Sequence, residues 1–346
     1  MKDTIHVALA SDNNYFEGLL VTAWTITRYC SSPSDITFHI LNGGISQDNL
    51  DFLHEKISPF GSTLDIIPID QSVQLKGFGT WHGNSSMAYA RLLLPDLLPD
   101  VHHVIYTDVD FVWLGDMAKL WAKRKDDLLL QHVSERAKGR DKISDAELQW
   151  ATERGMTFNH KKYFCTGMLL MNLDMFRKED LHKKVIRFLL ENNGTAPYAD
   201  QTALNLFTAQ RKDTGYLTKN WQTETGDPVG CSVDDDLAIH YAGDTPWKSI
   251  QLVHHMLTDS HILWHSIHAQ LRGISMWKSL RSYNSVLGIF FSRILYLLAS
   301  NSSAVRSLIR LYMKLRYHAK DTYYLDSYMS KVKFARFKSS PFRALV

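Results

Sequence analysis

Short apolar runs alternate with helical patterns along the first part of the chain. Runs at 5–11, 36–44 and 62–70 each end in polar or turn-forming residues, as buried strands do. The segments 14–30 and 46–60 between them space their apolar residues at helical intervals. This alternation predicts an α/β fold with a Rossmann-like, mainly parallel sheet covered by helices.

The same reading extends to about residue 250. It predicts a helix at 86–99, strands at 102–113 and 127–133, and a strand leading into a helix over 163–179. In an open sheet of this kind, ligands bind beyond the carboxyl ends of the strands. We therefore look for the functional side chains at those ends.

Beyond residue 250 the strand pattern stops and the apolar spacing is helical. We expect a catalytic domain over residues 1–250 and a helical, basic C-terminal region over 251–346. Net charge is +3, whereas residues 301–346 hold ten Lys or Arg and two Asp, a local balance of 10 − 2 = +8. The charge of the chain is therefore strongly asymmetric.

Composition indicates a globular protein inside the cell. The chain has 346 residues, of which 45% are hydrophobic, enough for a large core. Its three cysteines form no metal-type pair, and its first ten residues are too polar for a signal peptide. We expect a cytoplasmic protein.

Two acids interrupt the apolar run at 102–113. Asp108 and Asp110 are separated by Val109 alone, so on a continuous strand both carboxylates would point to one face. A divalent cation, Mg²⁺ or Mn²⁺, is the natural common ligand. The alternative is a strand end where one acid caps an amide and the other is exposed, which is the commoner situation for an isolated D-x-D.

Six segments in a fixed order decide in favour of the cation. The chain contains, in this order, ASDNNY, YARLLLPDLLP, VIYTDVDFVW, YFCTGMLLMNL, YADQTALN and IHYAGDTPW. This order resembles glycosyltransferase family eight over roughly residues 4 to 280. The resemblance implies a GT-A fold and a retaining, metal-dependent transferase that uses a UDP-sugar.

The resemblance also implies roles for individual residues. Asp108, Asp110 and His240 match its metal ligands, for Mn²⁺ or alternatively Mg²⁺. Asp200 and Gln201 match its catalytic pair, with the Asp on sugar hydroxyls and the Gln near the reactive face of the anomeric carbon. Substrate-binding positions carried over are Ala10, Ser11, Asp12, Asn14, Tyr15, Arg91, Asp108, Val109, Cys165, Thr166, Gly167, Asp200, Gln201, Gly243 and Lys248.

Several of these side chains also have a purely structural interpretation. Asp12 and Asn14 suit a turn for local reasons. Arg91 needs a partner if buried, and Asp108 or Asp200 can supply an internal ion pair. Asp200 alone would be read as a helix N-cap, and a lone histidine is usually packed or exposed.

Two departures from the family pattern bear on the donor. Cys165 and Thr166 stand where an Asn-Ala or Asn-Ser pair is usual, which leaves the identity of the sugar open. Thr245 stands where a phosphate-binding Lys is usual, and Lys248 is the candidate replacement.

The basic C-terminus predicts contact with a membrane surface. Residues 285–300 are apolar but too short and too charged for a membrane span. Residues 304–320 place Arg and Lys among aromatic and aliphatic residues at helical spacing, as in helices that bind anionic lipids. A packed helix with a solvated basic face is nearly as good an interpretation, and nucleic acid is not an expected partner.

The resemblance, together with the basic C-terminus, implies a retaining transferase that moves glucose or galactose from a UDP-sugar to a lipid-linked or oligosaccharide acceptor. The product would be lipopolysaccharide or another surface polysaccharide, made at the inner face of the cell membrane. The alternatives are a catalytically weak or silent UDP-sugar-binding protein and a sugar nucleotidyltransferase. The second lacks support because no Gly-rich phosphate loop follows residues 5–11.

Overall fold

The computed structural model describes residues 3–79, 85–134, 143–194, 196–224, 237–243, 245–247, 257–302, 304–305 and 307–308. The chain divides into two compact units. The first comprises Met1–Val109 and Gly115–Gln222, and the second comprises Asp110–Leu114 and Thr223–Val346. Residue 250, where sequence analysis places a boundary, lies outside the described residues.

Ten strands and twelve α-helices occur in the described part of the chain. The strands are β1 (Ile5–Ser11), β2 (Ile36–Asn42), β3 (Thr63–Pro68), β4 (His103–Thr107), β5 (Phe111–Trp113), β6 (Leu130–Ser134), β7 (Phe164–Asn172), β8 (Thr214–Tyr216), β9 (Thr223–Glu224) and β10 (Ala238–His240). The helices are α1 (Phe16–Tyr29), α2 (Gln47–Ile57), α3 (Gln71–Gln74), α4 (Leu94–Leu97), α5 (Met117–Trp121), α6 (Asp145–Thr152), α7 (Leu173–Lys178), α8 (Leu181–Glu191), α9 (Ala199–Thr208), α10 (Asp259–Arg272), α11 (Met276–Tyr283) and α12 (Val286–Asn301).

The first unit contains a mixed, mainly parallel sheet, as the apolar pattern predicts. Among its described residues the strand order is β3-β2-β1-β4-β7-β6-β8. β7 runs antiparallel to β4 and to β6, and the other four pairings are parallel. β1 is buried along almost its whole length, which explains why its sequence is apolar rather than alternating.

The strand order reverses direction between β1 and β4. From β1 the chain moves outward through β2 to β3 and then returns to pair β4 with the other side of β1. Such a reversal leaves a crevice at the carboxyl ends of the two central strands, where ligands bind in open α/β sheets. The segment after Ser11 and the segment after Thr107 both begin at this edge.

The single strand predicted over 102–113 is wrong. β4 ends at Thr107 and β5 begins at Phe111, in a second sheet of order β5-β10-β9. The Asp108 N–H still bonds to the Gly167 oxygen at 2.8 Å, whereas the Asp110 oxygen already accepts from the Tyr241 N–H at 2.8 Å. The backbone changes its pairing partner between the two aspartates, which hydrophobicity alone does not reveal.

The continuous helix predicted over 86–99 is also wrong. Met87–Leu93 forms a 3-10 helix, and the α-helix α4 follows it over Leu94–Leu97. Pro95 has no N–H to donate to the Arg91 oxygen one α-turn earlier, and its ring crowds that oxygen. The tighter 3-10 geometry therefore precedes the proline.

The second unit ends in the helical region that the sequence predicts. α10, α11 and α12 pack around a small core of Leu257, Leu280 and Ile289. No helix within the described residues is both long enough and apolar enough to span a bilayer.

The 3-10 segment that carries Arg91 is anchored by Tyr89. The Tyr89 hydroxyl donates to the Gly194 oxygen at 3.2 Å, and Phe78 stacks on the Tyr89 ring with 4.5 Å between centroids. Gly194 has a φ of +63°, and a Cβ atom there would lie 1.8 Å from the Gly77 oxygen. Only glycine fits at position 194, where the backbone of Gly194 lies against that of Gly77.

We expect Gly194→Ala to destabilise the protein more than Gly155→Ala does. Gly155 has nearly the same φ, +65°, but a Cβ atom there would have no neighbour within 4 Å, so its substitution costs only the left-handed conformation, about 1 kcal/mol. Gly194→Ala adds overpacking, about 1–3 kcal/mol more. Urea unfolding of both variants measures the difference. Equal midpoints would show that the backbone around Gly77 and Gly194 moves to accommodate the added Cβ atom.

Candidate active site

The end of β1 supplies a polar turn at the crevice. Ala10 and Ser11 are buried, and one carboxylate oxygen of Asp12 accepts from the Asn14 N–H at 2.9 Å. Asp12 thereby caps a 3-10 turn, which confirms the local role that turn chemistry predicts. Asn14 is exposed and Tyr15 is half-buried at the start of α1.

Arg91 is the centre of a buried ion network in the first unit. Its side chain is 3% exposed, with Nη2 lying 2.8 Å from Asp108 Oδ1 and Nε lying 3.1 Å from Asp200 Oδ2. Nη1 donates to the Thr166 oxygen. Both partners considered from the sequence are therefore present at once, and the guanidinium joins β4, β7 and α9.

Tyr106 completes this network from the preceding strand. Its hydroxyl donates to Asp108 Oδ1 at 2.8 Å, and its ring centroid lies 4.3 Å from the Arg91 guanidinium carbon. Burial alone would lower the pKa of Arg91, but the carboxylates of Asp108 and Asp200 raise it, so the group stays charged. Burial raises the pKa of Asp200 to about 6, while Arg91 acts in the opposite direction.

The start of β7 and the start of α9 meet through Thr166 and Gln201. The Thr166 N–H donates to Gln201 Oε1 at 3.2 Å, and Gln201 Nε2 donates to the Tyr163 hydroxyl at 2.9 Å. Tyr198, not Asp200, holds the N-cap position of α9. Asp200 lies in the first turn, where its carboxylate is buried against Arg91.

Cys165 and its neighbours belong to the same edge. Cys165 is partly exposed, Thr166 is 4% exposed, and the Gly167 N–H lies 3.5 Å from the Cys165 sulfur. Val109 is buried, and its oxygen accepts from the Thr22 hydroxyl at 2.8 Å. These contacts fix the backbone on both sides of the Asp108 segment.

Asp110 and His240 lie together in the second unit. Asp110 Oδ1 is 3.3 Å from His240 Nε2, and the His240 ring stacks on Phe111 with 4.3 Å between centroids. Neighbouring ligand atoms of an octahedral Mg²⁺-like ion also lie about 3 Å apart. With Asp108, two positions earlier in the chain, they form the group of acid and His side chains that, within the described residues, can hold a metal ion. The two carboxylates suit Mn²⁺ or Mg²⁺, and an imidazole is a ligand typical of transition metals.

The remaining predicted positions lie after β10. Gly243 has a φ of +72° in a turn, and Thr245 is partly exposed. Trp247 is buried beside Trp264, with 5.5 Å between ring centroids. Lys248 lies outside the described residues, so its proposed replacement of the family's lysine stays a prediction.

Sequence reasoning missed Tyr106, Tyr163 and Glu147. Tyr106 and Asp108 are two residues apart, the spacing that puts side chains on one face, so that signal was available. Ser144 and Glu147 form an S-x-x-E capping pattern, which marks a helix start but gives no hint of the contact between Glu147 and Tyr163, through which Glu147 is linked to Gln201. That contact depends on the tertiary packing of α6, β7 and α9.

The protein is thus an open α/β sheet with a buried arginine and two carboxylates at the edge where such sheets bind ligands. The family model described as Glycosyl transferase family 8 matches residues 6–251. The chain belongs to this family. Family and fold together support glycosyl transfer as its activity.

Individual relatives agree with this assignment. General stress protein A of Bacillus subtilis is 27% identical over 209 residues, which cover 59% of this chain and 69% of that protein. Lipopolysaccharide 1,3-galactosyltransferase of Salmonella typhimurium is 22% identical over 262 residues, 71% of this chain and 74% of that protein. The structure of the galactosyltransferase LgtC with donor and acceptor sugar analogues superimposes with a TM-score of 0.58 at 20% identity, covering 80% of this chain and 100% of that chain. This similarity shows a shared GT-A fold.

We expect Arg91→Met to lower the free energy of unfolding by about 3–5 kcal/mol, because it leaves the buried Asp200 carboxylate and the partly exposed Asp108 carboxylate without their cation. Arg187→Met, at an exposed position on α8, should change it by less than about 0.5 kcal/mol. Urea unfolding followed by tryptophan fluorescence measures both. Equal effects would mean that Arg91 does not hold the network together.

Proposed function

We propose that the protein transfers a hexose, glucose or galactose, from a UDP-sugar to a hydroxyl of a glycan acceptor with retention at the anomeric carbon. The acceptor is a lipid-linked or oligosaccharide intermediate of lipopolysaccharide or another surface polysaccharide. The Arg91 network carries this proposal. It assembles Asp108, Thr166 and Asp200 at the crevice, where an open α/β sheet binds its ligand.

The reaction exchanges one bond at the sugar for another. The bond from the anomeric carbon to the β-phosphate oxygen breaks, and its electron pair leaves with UDP. The acceptor oxygen bonds to the same carbon from the same face, and its proton passes to the departing phosphate oxygen. Polar groups already fixed in position lower the barrier because they need no reorganisation during the reaction.

The structure favours this same-face route over a covalent sugar intermediate. A double displacement needs a carboxylate nucleophile, and Asp200 is the nearest candidate in sequence. Its carboxylate is buried and 3.1 Å from the Arg91 guanidinium, which withdraws its charge from attack. Gln201 is a neutral amide and a weak nucleophile, but its oxygen can stabilise positive charge that develops on the sugar.

We further propose that Asp108, Asp110 and His240 hold one Mn²⁺ or Mg²⁺ ion. The 3.3 Å separation of Asp110 Oδ1 and His240 Nε2 and the carboxylate and imidazole donors support this. When bound, such an ion neutralises charge on the diphosphate. Asp108 also contacts Arg91, so its position is held independently of the ion.

We expect Asp110→Asn to abolish Mn²⁺-dependent binding of UDP and UDP-hexose, because an amide is a much weaker metal ligand than a carboxylate. Isothermal calorimetry with Mn²⁺ and with a chelator measures this. Asp126→Asn is the matched control, since the Asp126 side chain is 97% exposed, and it should bind as the unmodified protein does. Undiminished Mn²⁺-dependent binding by Asp110→Asn would remove Asp110 from the metal site.

The same protein samples decide between an enzyme and a silent UDP-sugar-binding protein. The silent alternative rests on Cys165 and Thr245, which replace residues usual in the family, whereas the presence of Asp108, Asp110, His240, Asp200 and Gln201 speaks against it. Release of UDP from UDP-glucose or UDP-galactose with an acceptor glycan would establish turnover and name the donor. Metal-dependent binding without UDP release under any condition would identify a binding protein.

We also propose that the C-terminal region docks on the inner face of the cell membrane. Its support is the outward face of α12, where Leu287, Phe290, Phe291, Ile294, Leu297 and Leu298 are 37–67% exposed. They recur at helical spacing and form one apolar stripe. An exposed stripe of this size marks an interaction surface, and the +8 charge of residues 301–346 favours an anionic lipid surface as its partner.

Ser292 and Arg293 of α12 do not belong to this stripe but bond to neighbouring residues of the second unit. The Ser292 hydroxyl accepts from the Leu257 N–H at 2.7 Å, and Arg293 pairs with Asp259 at 2.6 Å. These bonds fix the rotation of the helix about its axis and leave the apolar stripe outside. Arg306, Arg310, Lys314 and Arg316, which the sequence places on a basic helix, lie outside the described residues.

We expect Phe290→Glu combined with Phe291→Glu to release the protein from vesicles that contain phosphatidylglycerol, because two carboxylates would enter the lipid interface. Val73→Glu changes a residue outside α12 that is 69% exposed, and this variant should still sediment with the vesicles. Co-sedimentation measures both variants. Equal sedimentation of the two variants would reject the stripe as a lipid contact. If the unmodified protein were a dimer and the double variant a monomer by size-exclusion chromatography, the partner of the stripe would be a second copy of the chain.

A further inference from the structure

A second buried carboxylate lies beside the proposed active site. Glu147, the third residue of α6, is 1% exposed. Its Oε1 accepts from the Tyr163 hydroxyl at 2.7 Å and from the Thr202 hydroxyl at 2.8 Å, and its Oε2 accepts from the Ser144 hydroxyl at 3.2 Å. Within the described residues these hydroxyls, rather than a Lys or Arg, stabilise the carboxylate.

These contacts determine the group to which the Tyr163 hydroxyl donates its proton. A hydroxyl has a single proton, and an ionised carboxylate can only accept. The Tyr163 proton therefore goes to Glu147, and the Tyr163 oxygen is left to accept from Gln201 Nε2 at 2.9 Å. Burial raises the pKa of Glu147, whereas the hydroxyl donors favour its ionised form.

The other end of the Gln201 amide meets a fixed donor. The Thr166 N–H bonds to Gln201 Oε1 at 3.2 Å, and a backbone N–H cannot accept in return. A flipped amide would set N–H against N–H at Thr166 and oxygen against a lone pair at Tyr163. The contacts at Thr166 and at Tyr163 therefore both require the same orientation of the Gln201 amide.

We propose that Glu147 is a positioning residue for glycosyl transfer, holding the Gln201 amide in one orientation through the Tyr163 hydroxyl. The inference rests on the proposed function, in which Gln201 lies at the reactive face of the anomeric carbon. Glu147 touches neither donor nor acceptor in this proposal. Without Glu147, the Tyr163 hydroxyl can turn its proton toward Gln201, and the amide can flip so that its oxygen accepts from Tyr163 instead of from the Thr166 N–H.

A purely structural role is the competing explanation. The Ser144 hydroxyl caps α6 by accepting from the Glu147 N–H, so Glu147 also belongs to the start of that helix. Loss of a helix start lowers stability and activity irrespective of which residue occupies position 201. A positioning role acts only through Gln201, and this difference can be measured.

The test is a double-mutant cycle between Glu147→Met and Gln201→Ala, with kcat and KM for the UDP-hexose as readouts. Methionine keeps the volume but accepts no strong hydrogen bond. Glu147→Met should lower kcat roughly 10- to 100-fold with KM changed less than about twofold, the size typical of a misplaced catalytic group. It should have no further effect in the Gln201→Ala background. Equal losses in both backgrounds would overturn the proposal.

Three further variants sharpen the result. Glu147→Gln should retain most of the kcat that Glu147→Met loses, because its amide oxygen still accepts from Tyr163. Asp145→Asn, an exposed acid on the same helix, should match the unmodified protein. Tyr163→Phe removes the link but leaves Glu147 bonded to Ser144 and Thr202, so it replaces Glu147→Met in the cycle if that variant does not fold.

A spectroscopic readout separates this inference from the proposed function, because it needs no turnover. The Gln201 side-chain amide resonances are identified as the pair missing from the ¹⁵N spectrum of Gln201→Ala. They should shift in Glu147→Met and in Tyr163→Phe, and stay in place in Asp145→Asn. Unshifted resonances in the first two variants would overturn the positioning role even if the protein proves to be an active transferase.

Discussion

The buried guanidinium of Arg91 is the interaction on which the rest of the site depends. A cation removed from water is stable only with close counter-charges and a full set of hydrogen bonds. Arg91 obtains its counter-charges from Asp108 after β4 and Asp200 on α9, and it donates hydrogen bonds to Asp108, to the Thr166 oxygen on β7 and to the nearby Ala88 oxygen. These elements are far apart in sequence, so a single side chain holds three segments of the crevice in register.

The charges of this network are unequal. One guanidinium faces two carboxylates, which leaves one excess negative charge among largely buried groups. The Tyr106 hydroxyl spreads part of that charge without cancelling it. A site with this imbalance favours a further cation close to Asp108, and Asp110 is the next acid along the chain. The structural ion pair and the proposed metal site therefore follow from the same excess of negative charge.

Sequence reasoning predicted the parts of this arrangement that depend on local pattern. The apolar runs of β1 and β2 and the helical region after residue 250 follow from periodicity, and a buried arginine by itself demands partners such as Asp108 and Asp200. Pattern failed where tertiary pairing decides the outcome. The break between β4 and β5 depends on the pairing of β5 with β10. The 3-10 form of Met87–Leu93 is a different kind of failure, because its cause, Pro95, is local and stood in the sequence.

The orientation of α12 was hidden from the sequence for a similar reason. Ser292 and Arg293 interrupt an apolar segment, and on hydrophobicity alone they would face water. They face inward because Leu257 and Asp259 offer a backbone N–H and a carboxylate at that place. Glu147 is the same case within the first unit, where a helix-capping pattern conceals a contact with Tyr163.

In the proposed same-face transfer, the two carboxylates near Gln201 have different tasks. A same-face mechanism has no covalent intermediate to protect the sugar, so the group near the anomeric carbon must present oxygen rather than N–H as positive charge develops. An amide meets this need only if its orientation is enforced, because its two ends are nearly equal in size. Asp200 is committed to Arg91, whereas Glu147 is free of any such cation among the described residues and orders Tyr163. In the proposed reaction, Gln201 therefore presents its oxygen to the sugar because Glu147, through the Tyr163 hydroxyl, fixes the direction of the hydrogen bonds.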